Sequence, residues 1–217
     1  MSSAIVLLSG GLDSLVALDI VSKKYNKILA LFFNYSQKAY LEEKEAVKKI
    51  SEIYSIEFKE VGLPFLAEIT NNSLVDIDKN EYSNLDSVWI PNRNGLFLNI
   101  ASCYCDSFGF DDIVFGANKE ESKSFTDNKE EFVGLANEFF KYSTMKKPHV
   151  VAPCSNMTKV DLVNYIIDNN LDFTLIKSCY QDINITNKKH CNNCLSCKYL
   201  YNAVMNSKKP ELVKEIF

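Results

Sequence analysis

Two groups of residues in this chain have the types and spacing to do chemistry. The first is Ser9-Gly10-Gly11-Leu12-Asp13-Ser14. It follows an apolar stretch and opens a segment of helical periodicity. Its glycines let the backbone approach an anion and accept positive φ. The first turn of a helix offers free N–H groups and the positive end of a dipole, and Ser9 and Ser14 add hydroxyls. The motif reads as a pyrophosphate cradle, although neither GxxxxGK[ST] nor GxGxxG is present. The plainer reading is a Gly-Gly turn before a helix capped by Asp13 or Ser14. A carboxylate beside a phosphate site makes sense where it handles Mg²⁺ or a proton.

The second group is Cys179, Cys191, Cys194 and Cys197, the last three spaced C-x2-C-x2-C and reached after an eleven-residue loop from Cys179. Four thiolates can close a tetrahedral site on Zn²⁺, and short C-x2-C spacings let neighbouring ligands grip one ion from a tight turn. Such a staple would order the weakly apolar stretch 181–193. An iron–sulfur cluster and a redox C-x-x-C are the other readings. His190 abuts Cys191, but four cysteines suffice. Cys103, Cys105 and Cys154 read as small buried hydrophobes; Cys103 and Cys105, two apart on a predicted helix, do not share a face.

These groups need a scaffold. The chain has 217 residues, 47% of them apolar and 24% charged, globular values that argue against disorder or a coiled coil. Short apolar runs alternate with helical patterns. Strands are predicted at 4–8, 28–33, 56–61, 113–115 and 150–152. Helices are predicted at 15–24, 41–54 (with Ala46, Val47, Ile50 and Ile53 inward), 94–108, 127–142 and 158–169, the last capped by Thr158 with Asp161 three residues on. Residues 68–85 lack periodicity and read as an ordered loop or lid. Repeated strand–helix alternation predicts an α/β fold, an open parallel twisted sheet with helices on both faces. Past Asp172 the alternation stops. The expected division is an α/β domain carrying the pyrophosphate cradle over 1–172 and a zinc-bound helical C-terminal subdomain over 173–217.

A formal net charge of −4 gives no bulk field for nucleic acid. No apolar run approaches the ~20 residues that span a bilayer. The apolar run after Met1-Ser2-Ser3 has no positive flank and stops at Ser9, so it reads as a strand rather than a signal peptide. A cytoplasmic protein with reduced cysteines is expected, and clustered cysteines there point to metal or catalysis.

S-G-G-x-D-S after an N-terminal strand resembles the PP-loop of the ATP-pyrophosphatase superfamily, whose members cleave ATP between the α and β phosphates and adenylate an oxygen. With Ile90-Pro91-Asn92-Arg93-Asn94 and Phe97-Leu98, Gly116-Ala117-Asn118, and Ser178-Cys179-Tyr180 ahead of the cysteine triplet, nearly the whole chain resembles the QueC family of 7-cyano-7-deazaguanine synthases. The resemblance implies ATP and Mg²⁺ as cofactors, a small deazapurine acid and ammonia as partners, Zn²⁺ on the four cysteines, and a homodimer. The acid, 7-carboxy-7-deazaguanine, would be adenylated, amidated, and dehydrated to the nitrile after a second activation.

On this reading Leu8, Ser9, Gly10, Gly11, Leu12, Asp13, Ser14, Tyr35, Gln37, Arg93 and Gly116 bind the nucleotide, and Asp13, Ser14 and Arg93 are catalytic. Arg93 is the only arginine, and its permanently charged fork suits a carboxylate or an α-phosphate. Tyr35, Ser36, Gln37 and Lys38 follow the second strand, at the edge where open α/β sheets bind ligands. The substrate would meet Arg93, Asn94, Asn118, Glu121, Phe125, Asp127 and Lys129, although Asn94 also suits a helix cap.

Two segments depart from the family. Tyr35-Ser36-Gln37-Lys38-Ala39 stands where Y-G-Q-R-H is usual, and residues 121–129 stand where D-Y-S-G-Y-P-D-C-R is usual. Phe125 keeps an aromatic and Asp127 an acid, Glu121 stands in for the first acid, and Lys129 replaces an arginine. Two other activities compete with the nitrile synthase: a ligase that stops at the amide or couples the activated acid to an amine, such as that of a protein in an antiphage defence setting, and a non-catalytic ATP-binding module.

Overall fold

The computed structural model describes residues 2–79, 85–182 and 190–217. Five strands, β1 (Ser3–Leu7), β2 (Lys27–Asn34), β3 (Glu57–Gly62), β4 (Asp112–Val114) and β5 (His149–Val151), form one sheet in the order β3-β2-β1-β4-β5. Every pairing is parallel, with Val6 of β1 between Ala30 of β2 and Val114 of β4. Parallel neighbours need crossovers. These are provided by α1 (Leu12–Ser22), α2 (Tyr40–Ile53), the short α3 (Phe65–Glu68), α4 (Arg93–Phe108), α5 (Glu130–Ser143) and α6 (Lys159–Asp168). The chain winds outward from β1 through β2 to β3, then returns to β4 and β5 on the other side. A crevice at the carboxyl ends of β1 and β4 follows from that reversal.

The strands alternate between two cores. Ala4, Val6, Ala30, Phe32 and Val114 face α1 and α6, against Leu15, Val16, Leu162 and Ile166. Ile5, Leu7, Leu31, Phe33 and Ile113 face α4 and α5, against Leu98, Ala101, Cys105 and Phe140. After α6 come α7 (Leu195–Met205) and α8 (Val213–Ile216). Leu200, Ala203 and Val204 of α7 join the α1–α6 core. Among the described residues no helix is long and apolar enough to cross a membrane.

The α/β alternation is as the pattern predicts, including the capping box on α6. Thr158 Oγ1 accepts from Asp161 N at 3.1 Å, and Thr158 N donates to Asp161 Oδ2 at 2.8 Å. Three expectations are corrected. Ile53 is exposed, because the buried arc of α2 runs through Ala46, Val47, Ile50 and Ser51 and leaves the helix end outside it. Cys103 is exposed while Cys105 is buried; positions two apart on α4 differ by about 200°. The helix expected from Asp127 starts at Glu130, after a single 3₁₀ turn at Thr126–Asn128. In the 68–85 loop, Asn72 donates to Trp89 O at 2.6 Å and Leu74 O accepts from Lys38 N at 2.9 Å. Residues 80–84 of that loop and 183–189 of the tail lie outside the described residues.

Candidate active site

The loop leaving β1 turns sharply at Gly10, which has φ +77°. A Cβ there would come 2.8 Å from Ala46 Cβ and 3.3 Å from Glu43 O, so only glycine lets the loop lie against α2. Gly11 is the N-cap of α1 and no side chain caps the helix, which removes the expected alternative of a turn capped by Asp13 or Ser14. Ser14 Oγ instead donates to Gly11 O at 3.0 Å and lies 3.2 Å from Ser9 Oγ. The first turn of α1 thus presents uncapped N–H groups and two hydroxyls to the crevice. Gly116, beyond β4, closes the other side: a Cβ there would sit 3.2 Å from Ser14 N.

Asp13 lies on that first turn. Its Oδ2 accepts from Lys159 Nζ at 2.6 Å, and its Oδ1 from Asn118 Nδ2 at 3.0 Å. Lys159 also pairs with Glu121 Oε1 at 2.8 Å. Asn118, fully buried, accepts from the N–H groups of Glu120 and Glu121, both at 3.0 Å. Burial pushes the Asp13 carboxyl above its ordinary value; Lys159 pulls against that push and Glu121 adds to it. Burial would lower Lys159, but Asp13 and Glu121 hold it above the ordinary lysine range. Two carboxylates share one ammonium beside the loop, an arrangement of hard oxygen donors that fits Mg²⁺.

A second cluster gathers around Arg93, the first residue of α4. Asn92 before it adopts the left-handed conformation at φ 52°. Arg93 Nη1 donates to Tyr35 Oη at 3.2 Å. Gln37 ties the segment after β2: its Oε1 accepts from Tyr35 N at 2.9 Å, and its Nε2 donates to Phe33 O at 3.0 Å and Glu43 Oε2 at 2.8 Å. Burial pushes the Glu43 carboxyl up to about 7, against the pull of the Gln37 bond, Arg93 and Lys177. Burial also raises Asp127; Arg93 pulls it down, and bonds from Asn128 and Asn94 help. Trp89 stacks on Phe125, ring centroids 5.8 Å apart and planes 8° from parallel.

These groups line one cleft of about 280 Å³. Leu8, Ser9, Gly11, Leu12, Asp13, Ser14 and Gly116 give it a phosphate-suited lining, and Tyr35, Gln37, Arg93, Asn94, Glu121, Phe125 and Asp127 line it as well, with Glu121 tied to the glycine loop through Lys159 and Asp13. Gly10 lies buried behind the loop and Asn118 acts through Asp13. Lys129 is exposed and outside the cleft. Ser36 is exposed, and Lys38 turns away to donate to Lys79 O at 2.6 Å. Sequence reasoning missed Glu43, Trp89, Lys159, Lys177 and Tyr180, all on the cleft. Lys159 directly follows the helix cap Thr158 beyond β5, and that position at the carboxyl edge was the signal available.

The four cysteine sulfurs all lie within 4.8 Å of one another. Backbone N–H groups of Gln181, Cys194 and Cys197 donate to the sulfurs of Cys179, Cys191 and Cys194 at 3.4, 3.3 and 3.5 Å, which favours thiolates. Hydrogen bonds from Cys194 and Cys197 hold Cys179 below the ordinary thiol range and push their own thiols above it. One metal ion among the four would relieve this crowding. His190 Nδ1 lies 3.7 Å from Cys197 Sγ, and its ring packs on Phe217. Cys105 and Cys154 are buried, their thiols pushed up to about 12 by desolvation, so they are inert packing groups.

Residues 3–207 match the family model described as "Queuosine biosynthesis protein QueC". The 7-cyano-7-deazaguanine synthase of Carboxydothermus hydrogenoformans is 40% identical over 215 residues, covering 94% of this chain and 98% of that protein. The enzyme of the same name from Pelotomaculum thermopropionicum is 38% identical over 208 residues, covering 89% and 92%. The U34-tRNA thiolase NcsA of Methanococcus maripaludis, solved with a [4Fe-4S] cluster, shares the fold at 15% identity and a TM-score of 0.53, covering 100% of this chain and 74% of that one. With a match to the family model over almost its full length, the chain belongs to the QueC family.

Proposed function

We propose that the chain converts 7-carboxy-7-deazaguanine to 7-cyano-7-deazaguanine with ATP and ammonia. The observation that carries this reading is the set of groups brought to one cleft: an uncapped helix N-terminus behind a glycine loop, the single arginine, and a stacked aromatic pair. Phosphates suit the first, a carboxylate the second, and a planar heterocycle the third.

In this reading the first-turn N–H groups, Ser9 and Ser14 hold the β and γ phosphates. The substrate carboxylate, oriented by Arg93, attacks the α-phosphorus, and pyrophosphate leaves. Lys159, held by Asp13 and Glu121, supplies positive charge near the α-phosphate, where negative charge builds. Ammonia displaces AMP to give the amide, and a second adenylation of the amide oxygen permits loss of AMP and formation of the nitrile. Mg²⁺ would sit on Asp13 and Glu121 and neutralise phosphate charge. The Trp89–Phe125 pair offers an aromatic face to the base, with Asn94 and Asp127 at its polar edge.

The four cysteines hold Zn²⁺, so residues 173–217 are a metal-stapled subdomain on the ATP-binding domain 1–172. The metal requires reduced thiols, which supports a cytoplasmic location; a homodimer is the expected assembly. The test is release of AMP and pyrophosphate. Both are expected when 7-carboxy-7-deazaguanine is added with ATP, and neither with guanine in its place. Equal release with both would overturn the substrate assignment.

A further inference from the structure

Glu43 reaches the cleft from α2 and is one of four acidic residues on its lining, with Asp13, Glu121 and Asp127. Its backbone carbonyl lies under Gly10. Its Oε2 is held by Gln37 at 2.8 Å, which fixes the carboxylate, while its Oε1 accepts no hydrogen bond from the described residues. Gln37 is itself anchored on both sides by Phe33 O and Tyr35 N. The charged groups that bear on Glu43 are Arg93, Lys177 and its helix neighbour Glu42. A carboxylate fixed at one oxygen, close enough to Arg93 and Lys177 to feel their charge, keeps its other oxygen for a small cation on the cleft.

Resting on the function proposed above, we propose that Glu43 is the ammonium subsite: its carboxylate binds NH₄⁺ and takes the proton that frees NH₃ for attack. Ammonium gives one proton to Glu43. The nitrogen lone pair forms the C–N bond at the acyl carbon, and the C–O bond to the phosphate of AMP breaks, AMP leaving with that electron pair. The new nitrogen loses its extra proton to water, and Glu43 returns its own to water before the next turnover. A carboxyl that titrates near neutrality can do both.

The experiment compares the native protein with Glu43→Gln, using ATP, 7-carboxy-7-deazaguanine and either ammonium chloride or hydroxylamine. Glutamine keeps an oxygen to accept the Gln37 bond but cannot take a proton. Hydroxylamine is already uncharged at neutral pH and needs no base before attack. Ammonium-dependent amide formation is expected to fall ~100-fold or more, with a raised KM for ammonium, while hydroxamate formation changes less than about three-fold. Equal losses with both nucleophiles would assign Glu43 a purely structural role and overturn the proposal, as would unchanged turnover with ammonium. Absence of AMP and hydroxamate from the native protein would overturn the activation reading itself, and the subsite with it.

Discussion

Asp13 and Lys159 are 146 residues apart in sequence and 2.6 Å apart in space, joining the first turn of α1 to the first turn of α6 across the sheet's crevice. Because Lys159 also holds Glu121, the two partners of this pair are not equivalent. Asp13→Ala leaves Lys159 paired with Glu121; AMP formation is expected to vanish while the fold survives, with a melting temperature close to native. Lys159→Met strands two carboxylates in a buried site. It is expected to cost roughly 3–5 kcal/mol, about 10 °C in Tm for a chain of this size, and to abolish turnover as well. Thermal melts and AMP assays on the two variants check this; turnover retained by Asp13→Ala would remove its assigned role.

Arg93 reaches Tyr35 with one arm of its guanidinium, and the rest is left to grip a carboxylate. Arg93→Lys keeps the charge and loses the fork, so kcat/KM is expected to fall ~100-fold. Phe125→Ala removes the stacking partner of Trp89, the chain's only tryptophan, and should raise KM for the deazapurine about ten-fold. Because Trp89 lines the cleft, its fluorescence should change on binding the base in the native protein. A silent Trp89 at saturating substrate would place the base elsewhere.

Glu43 makes stability depend on pH. Its carboxyl is raised from 4.5 to about 7 in the folded chain, so the folded state binds a proton that the unfolded state releases near 4.5. That contribution is whole below pH 4.5 and is lost as pH rises to about 7, at most about 3 kcal/mol at 1.36 kcal/mol per unit. Glu43→Gln is therefore expected to melt several degrees above the native protein at pH 8 and level with it at pH 4.5. A gap that does not change with pH would contradict the burial of this charge.

The cysteine cluster predicts one metal per chain. Cys197→Ser is expected to lose it and to lower Tm by about 10 °C or more, because metal binding free energy is folding free energy. Prolonged chelation should do the same, and bound-metal analysis of the native protein should return zinc. Iron, or no metal, would contradict the zinc assignment.

How legible these sites were in the sequence follows from how local their signals are. The glycine loop and the cysteine triplet are short motifs whose spacing is itself the geometry, and both were readable. Arg93 stood out as the chain's only arginine. Lys159 and Glu43 did not: each is one of many charged residues, and each matters only because β5 and β2 deliver it to the same crevice as β1. Trp89 was hidden in the unpatterned segment before α4, where its stacking on Phe125 is a tertiary fact. Lys129 erred the other way. Its place in the family's motif suggested the pocket, but the turn at Thr126–Asn128 carries it to the surface before α5 begins.

The most direct test is the mass of the product made from 7-carboxy-7-deazaguanine, ATP, Mg²⁺ and ¹⁵N-ammonium. Incorporation of one ¹⁵N with loss of all carboxyl oxygen, giving the nitrile, is the expected result. A product that stops at the labelled amide, or an acid recovered unchanged, would contradict it.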